Sequence, residues 1–276
     1  APTPRPEQRR RDRLWGHGQG PSRHGEPAPA TVCRADGPGT SARTVSGPEA
    51  PPGSVTVAVI AKEPVAGRVK TRLVPPLTPG EAAEVASASL SDTIAAVDAA
   101  ASGGLFGTRL LYLEGEAEEL VGEDWEVVGQ CSGGLGERLE WLFARCSGPC
   151  IVVGMDTPQL TVGALEAALD SLILPGVDAV LGPATDGGYW TIGFDRHVPG
   201  AFEGVPMSEA TTGQHQLERL RGLGLSVELL EEFRDIDHWQ DAVAIAAEHP
   251  HLRTSKVVAA VADRLGAGPQ QTQAGT

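Results

Sequence analysis

Val57-Ala-Val-Ile-Ala-Lys-Glu-Pro-Val-Ala-Gly-Arg-Val-Lys-Thr-Arg-Leu73 is the stretch whose reading decides the fold. It continues an apolar, mostly β-branched run from Val55 to Ala61 that lacks polar alternation. Such a run predicts a parallel strand covered on both faces. Pro64 and Gly67 then break the pattern and force a loop, into which fall Lys62, Arg68, Lys70 and Arg72. The chain has a formal net charge of -14, and its lysines are Lys62, Lys70 and Lys256, so two of the three flank this loop. Taken alone, Lys-Thr-Arg would be a solvated basic turn. At the carboxyl end of a buried first strand, on an acidic chain, it reads as a phosphate site. Open α/β sheets bind ligands there, with lysine as a point charge and arginine as a bidentate fork.

Working outward, the 276 residues suit one α/β domain of just over 200 residues with flanking segments. Residues 1–53 are rich in Pro, Gly, Arg and Ser and hold eight arginines against five acidic residues. That composition buries too little apolar surface to offset chain entropy, so a disordered extension is expected there. The domain is expected over 54–266 and a frayed Gly/Gln/Ala tail over 267–276. The sequence has neither a membrane-spanning apolar run nor a secretory h-region. Cys33, Cys131, Cys146 and Cys150 lack zinc spacing and read as reduced packing residues, which implies a cytoplasmic protein. The acidic balance speaks against nucleic acid as partner, and the lack of a long apolar run against a membrane.

Strands alternating with helices along the rest of the chain predict a three-layer α/β/α, Rossmann-like domain around a mostly parallel mixed sheet. Thr78-Pro-Gly-Glu81 signals a helix start, with cap, N1 proline and N3 glutamate in place. Further strands are expected at 108–113, 125–128, 150–155, 178–181 and 226–230. A glycine-rich connection, Gly129 to Gly136, leads into a helix carrying Arg138, and Gly182 to Gly193 follows the fifth strand.

Two acidic turns stand out. Asp156 directly follows the Cys150–Met155 run, and Pro158 stops that strand. A carboxylate at the mouth of the sheet, facing a cationic loop, suits magnesium held on a nucleotide. The competing role, capping a helix that starts near Thr161, is weakened by the five-residue gap. Asp186-Gly187-Gly188-Tyr189-Trp190 is a tight-turn signal followed by two aromatics, which would wall a base or sugar pocket or enter the core. Of Asp235 and Asp237, one would cap the helix near Trp239 and the other serve as a second metal ligand. No nucleophile elbow or histidine metal spacing occurs, whereas phosphoryl-type transfer needs only positioning and charge neutralisation.

The motifs Ala61-Lys-x-Pro-x-x-Gly-Arg-Val-Lys-Thr-Arg-Leu73, Leu135-Gly-Glu-Arg-Leu139, Gly154-x-Asp-x-Pro-x-Leu160, Gly182-Pro-Ala-x-Asp-Gly-Gly-Tyr-Trp-x-Ile-Gly193 and Asp235-Ile-Asp237 resemble the DUF2064 proteins. These belong to the nucleotide-diphospho-sugar transferase superfamily of glycosyltransferase-A (GT-A) fold, and the resemblance spans roughly residues 55–250. His238 and Gln240 stand where the family more often has Thr and Glu, and Trp190 where an aliphatic residue is usual. The resemblance implies a transferase acting on a nucleotide and a small acceptor, with Mg²⁺ or Mn²⁺. The basic loop resembles that of phospholactate guanylyltransferases, and Asp-x-Pro-x-Leu the magnesium aspartate of molybdopterin nucleotidyltransferases. The expected function is therefore nucleotidyl transfer from an NTP to a phosphorylated acceptor with release of pyrophosphate. A GT-A glycosyltransferase and an inactive nucleotide-binding protein are the alternatives. The expected catalytic residues are Lys70, Arg72 and Asp156. Phosphate binding is assigned to Lys62, Gly67, Arg68, Lys70, Thr71, Arg72, Gly134 and Arg138. Asp186, Gly187, Gly188, Tyr189 and Trp190 would line the substrate pocket, and Asp156, Asp186 and Asp237 would hold the metal.

Overall fold

Each apolar run becomes a strand: Thr56–Lys62 (β1), Thr108–Glu114 (β2), Trp125–Gly129 (β3), Cys150–Gly154 (β4), Ala179–Pro183 (β5), Tyr189–Phe194 (β6) and Val227–Leu229 (β7). The computed structural model describes residues 55–116 and 118–266. The expected extension 1–53, the expected tail 267–276 and Cys33 lie outside them. The strands form one sheet in the order β3-β2-β1-β4-β6-β5-β7. β1 pairs in parallel with β2 and β4, which puts the basic loop at the centre of the sheet.

β6 runs antiparallel to both β4 and β5. From the sequence, Gly182–Gly193 is expected as the segment that follows the fifth strand. It is instead a hairpin that folds back between β4 and β5, with Ala184–Gly188 as its turn. The apolar residues Trp190, Ile192 and Phe194 after the Asp-Gly turn supply a strand buried at its core positions.

Helices Pro79–Ser102 (α1), Leu135–Phe143 (α2), Val162–Leu172 (α3), Thr212–Gly222 (α4), Trp239–Glu248 (α5) and Arg253–Gly266 (α6) cover the sheet. α1 begins as its sequence dictates. Thr78 accepts from the Glu81 N–H at 3.2 Å, and Glu81 accepts from the Thr78 N–H at 2.8 Å. Alternate residues of β1 explain its unbroken apolarity. Val57, Val59 and Ala61 pack in one core cluster with Leu90 of α1 and Leu165 of α3. Ala58 joins the opposite cluster with Leu139 and Leu142 of α2 and Leu220 of α4. Both faces are thus covered, as a three-layer α/β/α arrangement requires.

A third cluster bears directly on the site. Leu73 and Leu77 of the basic loop and Ile236 meet Val85 of α1, Ile245 of α5, and Val258 and Val261 of α6. Asp92 on α1 secures α6 by accepting from the N–H groups of Arg253 and Thr254 at 3.1 and 2.9 Å. The charge of a carboxylate at a helix start complements the free N–H groups there.

Candidate active site

The basic loop is held from below by two apolar anchors, Val69 and fully buried Leu73. Between and beside them Arg68, Thr71 and Arg72 remain exposed. Gly67 turns the chain at a φ of 78°, and Lys70 itself adopts the left-handed conformation, φ 49° and ψ 37°. A non-glycine residue there is uncommon and persists where its surroundings fix it. Here the side chain does so. The Lys70 side chain is only 9% exposed, and its ammonium lies 2.7 Å from Asp156 Oδ1. It also donates to the Ile236 carbonyl oxygen.

Asp156 emerges from the end of β4, as its position predicts, and its carbonyl accepts the Ile236 N–H at 2.9 Å. That backbone bond fixes the segment carrying Asp235 and Asp237 beside the sheet mouth. The two aspartates then diverge. Asp237 faces the loop, where Arg72 Nη1 donates to both its oxygens at 2.9 and 2.7 Å. Asp235 turns inward. Burial, followed by the Asp186 carboxylate, pushes its pKa up to about 7; Lys70 opposes the shift and Asp156 adds to it. Its Oδ1 is buried without a hydrogen-bond partner, as is Oε1 of neighbouring Gln159, whose amide donates to the Arg234 carbonyl. Neither aspartate caps α5. Asp241 performs that task by accepting the His238 N–H at 2.7 Å.

Asp186 sits in the β5–β6 turn and accepts the Gly188 N–H at 2.7 Å. Gly187, at a φ of 88°, lies so close to the next segment that a Cβ would stand 1.9 Å from the Ala210 carbonyl oxygen. The Gly213 N–H closes this contact on the Gly187 carbonyl at 2.8 Å. Tyr189 is half-buried, its hydroxyl 3.9 Å from the Met207 sulfur. Trp190 goes into the core. It is 3% exposed, stacks on Phe233 with centroids 4.8 Å apart, and donates its indole N–H to the Glu231 carbonyl at 2.9 Å. One edge of it lines a 250 Å³ cleft against Ala164 and Ala167 of α3, away from the basic loop's charges.

The remaining predicted cations form a second group at the ends of β1 and β2. Lys62 lies 3.4 Å from Glu114, and Arg138 binds Glu114 at 2.5 Å and Gln130 Oε1 at 2.9 Å. Burial raises the Glu114 pKa, but Arg138 and Lys62 outweigh it and hold the carboxyl below the usual range. Gln130 in turn donates to the carbonyls of Ala61 and Tyr112, so Arg138 reaches this corner through a ligand fixed by the backbone. Gly134 starts α2, with Glu137 accepting its N–H at 2.8 Å. Lys70, Asp156, Asp186 and Asp235 thus form one cluster and Lys62, Glu114 and Arg138 another, with exposed Arg68 and Arg72 on the connecting loop.

Sequence reasoning missed the inward turn of Asp235, the role of Glu114, and the Pro206–Thr212 segment that meets Gly187. Spacing in Asp-Ile-Asp cannot tell which carboxylate faces in. Among the described residues no three His, Cys, Asp or Glu side chains converge as a ready-made metal site. The residues nonetheless fit a hard divalent cation. Such an ion takes one or two carboxylates, and the buried, unpartnered Oδ1 of Asp235 beside Asp156 is an oxygen without a donor. No described helix is long and apolar enough to cross a membrane.

No curated protein sequence matches this chain. A crystal structure from Desulfovibrio desulfuricans G20, provisionally named a nucleotide-diphospho-sugar transferase, superposes with a TM-score of 0.66 at 25% identity, covering 77% of this chain and 95% of that one. Rv0371c from Mycobacterium tuberculosis H37Rv, crystallised with manganese, gives 0.43 at 20% identity over 70% and 97% of the two chains. A nucleotidyl transferase from Methanothermobacter thermautotroptrophicus gives 0.46 at 16% over 70% and 95%. The last two are too distant to carry argument. Residues 83–209, which include Arg138, Asp156 and the Asp186 turn, match the model of DUF2064, an uncharacterized protein family conserved in bacteria. The DUF2064 resemblance read from the motifs is thus met by the family model, on a GT-A-like fold shared with a nucleotide-diphospho-sugar transferase.

Proposed function

We propose that this protein is a metal-dependent nucleotidyltransferase that passes a nucleoside monophosphate from an NTP to a phosphorylated acceptor. The observation that carries the reading is the meeting of Lys70 with Asp156, 2.7 Å apart at the carboxyl ends of β1 and β4. One loop brings phosphate-seeking cations and the adjacent turn brings metal-seeking carboxylates to the same point. In this reading Arg68 and Arg72, exposed on the loop, receive the triphosphate, and Lys70 neutralises charge on the leaving group. An acceptor phosphate oxygen bonds to the α-phosphorus as the α–β bridging bond breaks and pyrophosphate departs. Mg²⁺ or Mn²⁺, when bound, supplies positive field at the transferring group. Asp156, Asp186 and Asp235 would hold it; Asp237, expected as a ligand from the sequence, is engaged by Arg72.

The engagement of Asp237 by Arg72 leaves Asp235 as the carboxylate of the Asp-x-Asp spacing that turns toward Asp156. An inactive nucleotide-binding role leaves the paired cationic and acidic groups without work. The test is pyrophosphate release across a panel of NTPs and sugar phosphates with Mg²⁺ or Mn²⁺, alongside nucleotide-sugar turnover, with products identified by phosphorus NMR. Pyrophosphate formation supports the proposal. Nucleoside diphosphate as the leaving group overturns it.

A further inference from the structure

Lys70 poses a problem for a simple phosphate-binding role. Its side chain is 9% exposed and its ammonium is ion-paired to Asp156 and bonded to the Ile236 carbonyl, so it faces the acidic cleft and not solvent. Lys62, by contrast, has a side chain 57% exposed. The backbone at Lys70 adopts a left-handed turn that points this side chain inward, while Thr71 and Arg72 stay outside. Besides burial, Asp186 and Asp156 raise the pKa of Asp235 and Lys70 lowers it. Half-buried Asp235 and the more exposed Asp156 and Asp186 therefore share one compact monovalent charge. Without it the repulsion that Asp156 and Asp186 exert on Asp235 would go uncompensated.

We propose that Lys70 is the resident cation of this cleft in the ligand-free protein, and that it must leave Asp156 before a divalent cation can bind there. The released ammonium then stands at the base of the basic loop, free to meet the phosphates. Metal and nucleotide binding are coupled through this one side chain: the metal releases the lysine, and the phosphates accept it. The inference rests on the proposed function for the identity of the cation. Its geometry is that of the Lys70–Asp156 pair.

The scarcity of lysine makes the idea directly measurable on the full chain. Amine acetylation followed by peptide mass mapping reads Lys62, Lys70 and Lys256 separately, and exposed Lys256 serves as the internal reference. Lys70 should label slowly in chelator, and its rate should climb toward that of Lys256 when Mn²⁺ is bound, as monitored by electron paramagnetic resonance. Adding a non-hydrolysable NTP should protect it again. Lys70→Met should bind Mn²⁺ without nucleotide more tightly than wild type by about 5–150-fold, the range of linked binding events. Lys70→Gln provides the same readout should the methionine variant fold poorly. Unchanged Lys70 labelling with Mn²⁺ demonstrably bound, or no gain in affinity in a folded variant, overturns the displacement and leaves the proposed function standing. Failure of Mn²⁺ to bind even with NTP overturns both.

Discussion

The N–H of Ile236 donates to the carbonyl oxygen of Asp156 at 2.9 Å, which joins the end of β4 to the segment bearing Asp235 and Asp237. Ile236 itself is fully buried among Leu73, Leu77, Val258 and Val261. One residue therefore sets the position of both acidic groups and of the carbonyl that Lys70 binds.

Ile236→Ala should cost about 2–4 kcal/mol through the cavity it leaves. Thermal melts should register this as a fall of about 4–16 °C for a domain of this size. Activity measured at a temperature where the variant is folded should also drop, because the seat of Asp235 loosens. Wild-type melting would show that the third cluster does not support the site.

Lys70→Ala discriminates between the two transfer chemistries. Where pyrophosphate leaves, a cation on the leaving group contributes most in the transition state, so kcat should fall by about 10²–10³. Where a nucleoside diphosphate leaves, the same loss should chiefly raise KM. Steady-state kinetics with the released product identified distinguishes these outcomes.

Asp235 gives the metal-free protein a pH signature. Its folded pKa of about 7 lies above its ordinary value of 3.8. A raised value means the folded state binds the proton more tightly, so the stability it brings is complete below about pH 4 and fades as pH climbs through 7. Asp235→Asn keeps the shape without the charge. In chelator at pH 8 it should melt above wild type by about 2–8 °C, corresponding to about 1–2 kcal/mol after allowance for solvent screening. Below pH 4 the gap should close. A gap that does not vary with pH would contradict the inward placement of this carboxylate.

Gly187→Ala places a methyl group 1.9 Å from the Ala210 carbonyl at a φ of 88°. It should destabilise the protein by about 2–3 kcal/mol or more, since backbone must move as well as twist. Gly67→Ala is the matched control. Its φ is 78° but a Cβ meets nothing within 4 Å, so only the cost of the left-handed turn, about 1–2 kcal/mol, should appear. Equal losses in chemical denaturation would show that the close approach at Gly187 contributes nothing.

Much of the architecture was legible because burial on both faces leaves an unmistakable mark. β1 and β4 are apolar runs without alternation, and Thr78 with Glu81 announces α1 through hydrogen bonds that are formed as written. The antiparallel β6 was not read, because Gly182–Gly193 contains the turn residues of a loop and its pairing with β4 depends on residues some forty positions away. Placing Asp156 opposite Lys70 followed from two strand ends, whereas the different facings of Asp235 and Asp237 follow from Arg72, 165 positions away from Asp237, and from the burial of Ile236 against distant Leu73 and Val258. Trp190 carried two roles in the sequence. Phe233 and the Glu231 carbonyl, distant partners, decide for the core.

The docking of Ile236 against α6 also has a meaning for how the protein comes into being. Strands β1 to β6 and the basic loop emerge from the ribosome well before residues 253–266, at about 5–20 residues per second. Until α6 arrives, Val258 and Val261 are missing from the cluster that seats Ile236, and with it Asp235. A growing chain can thus form most of its sheet and still lack a finished cleft, so synthesis orders the events: scaffold first, the seat of Ile236 and Asp235 only afterwards.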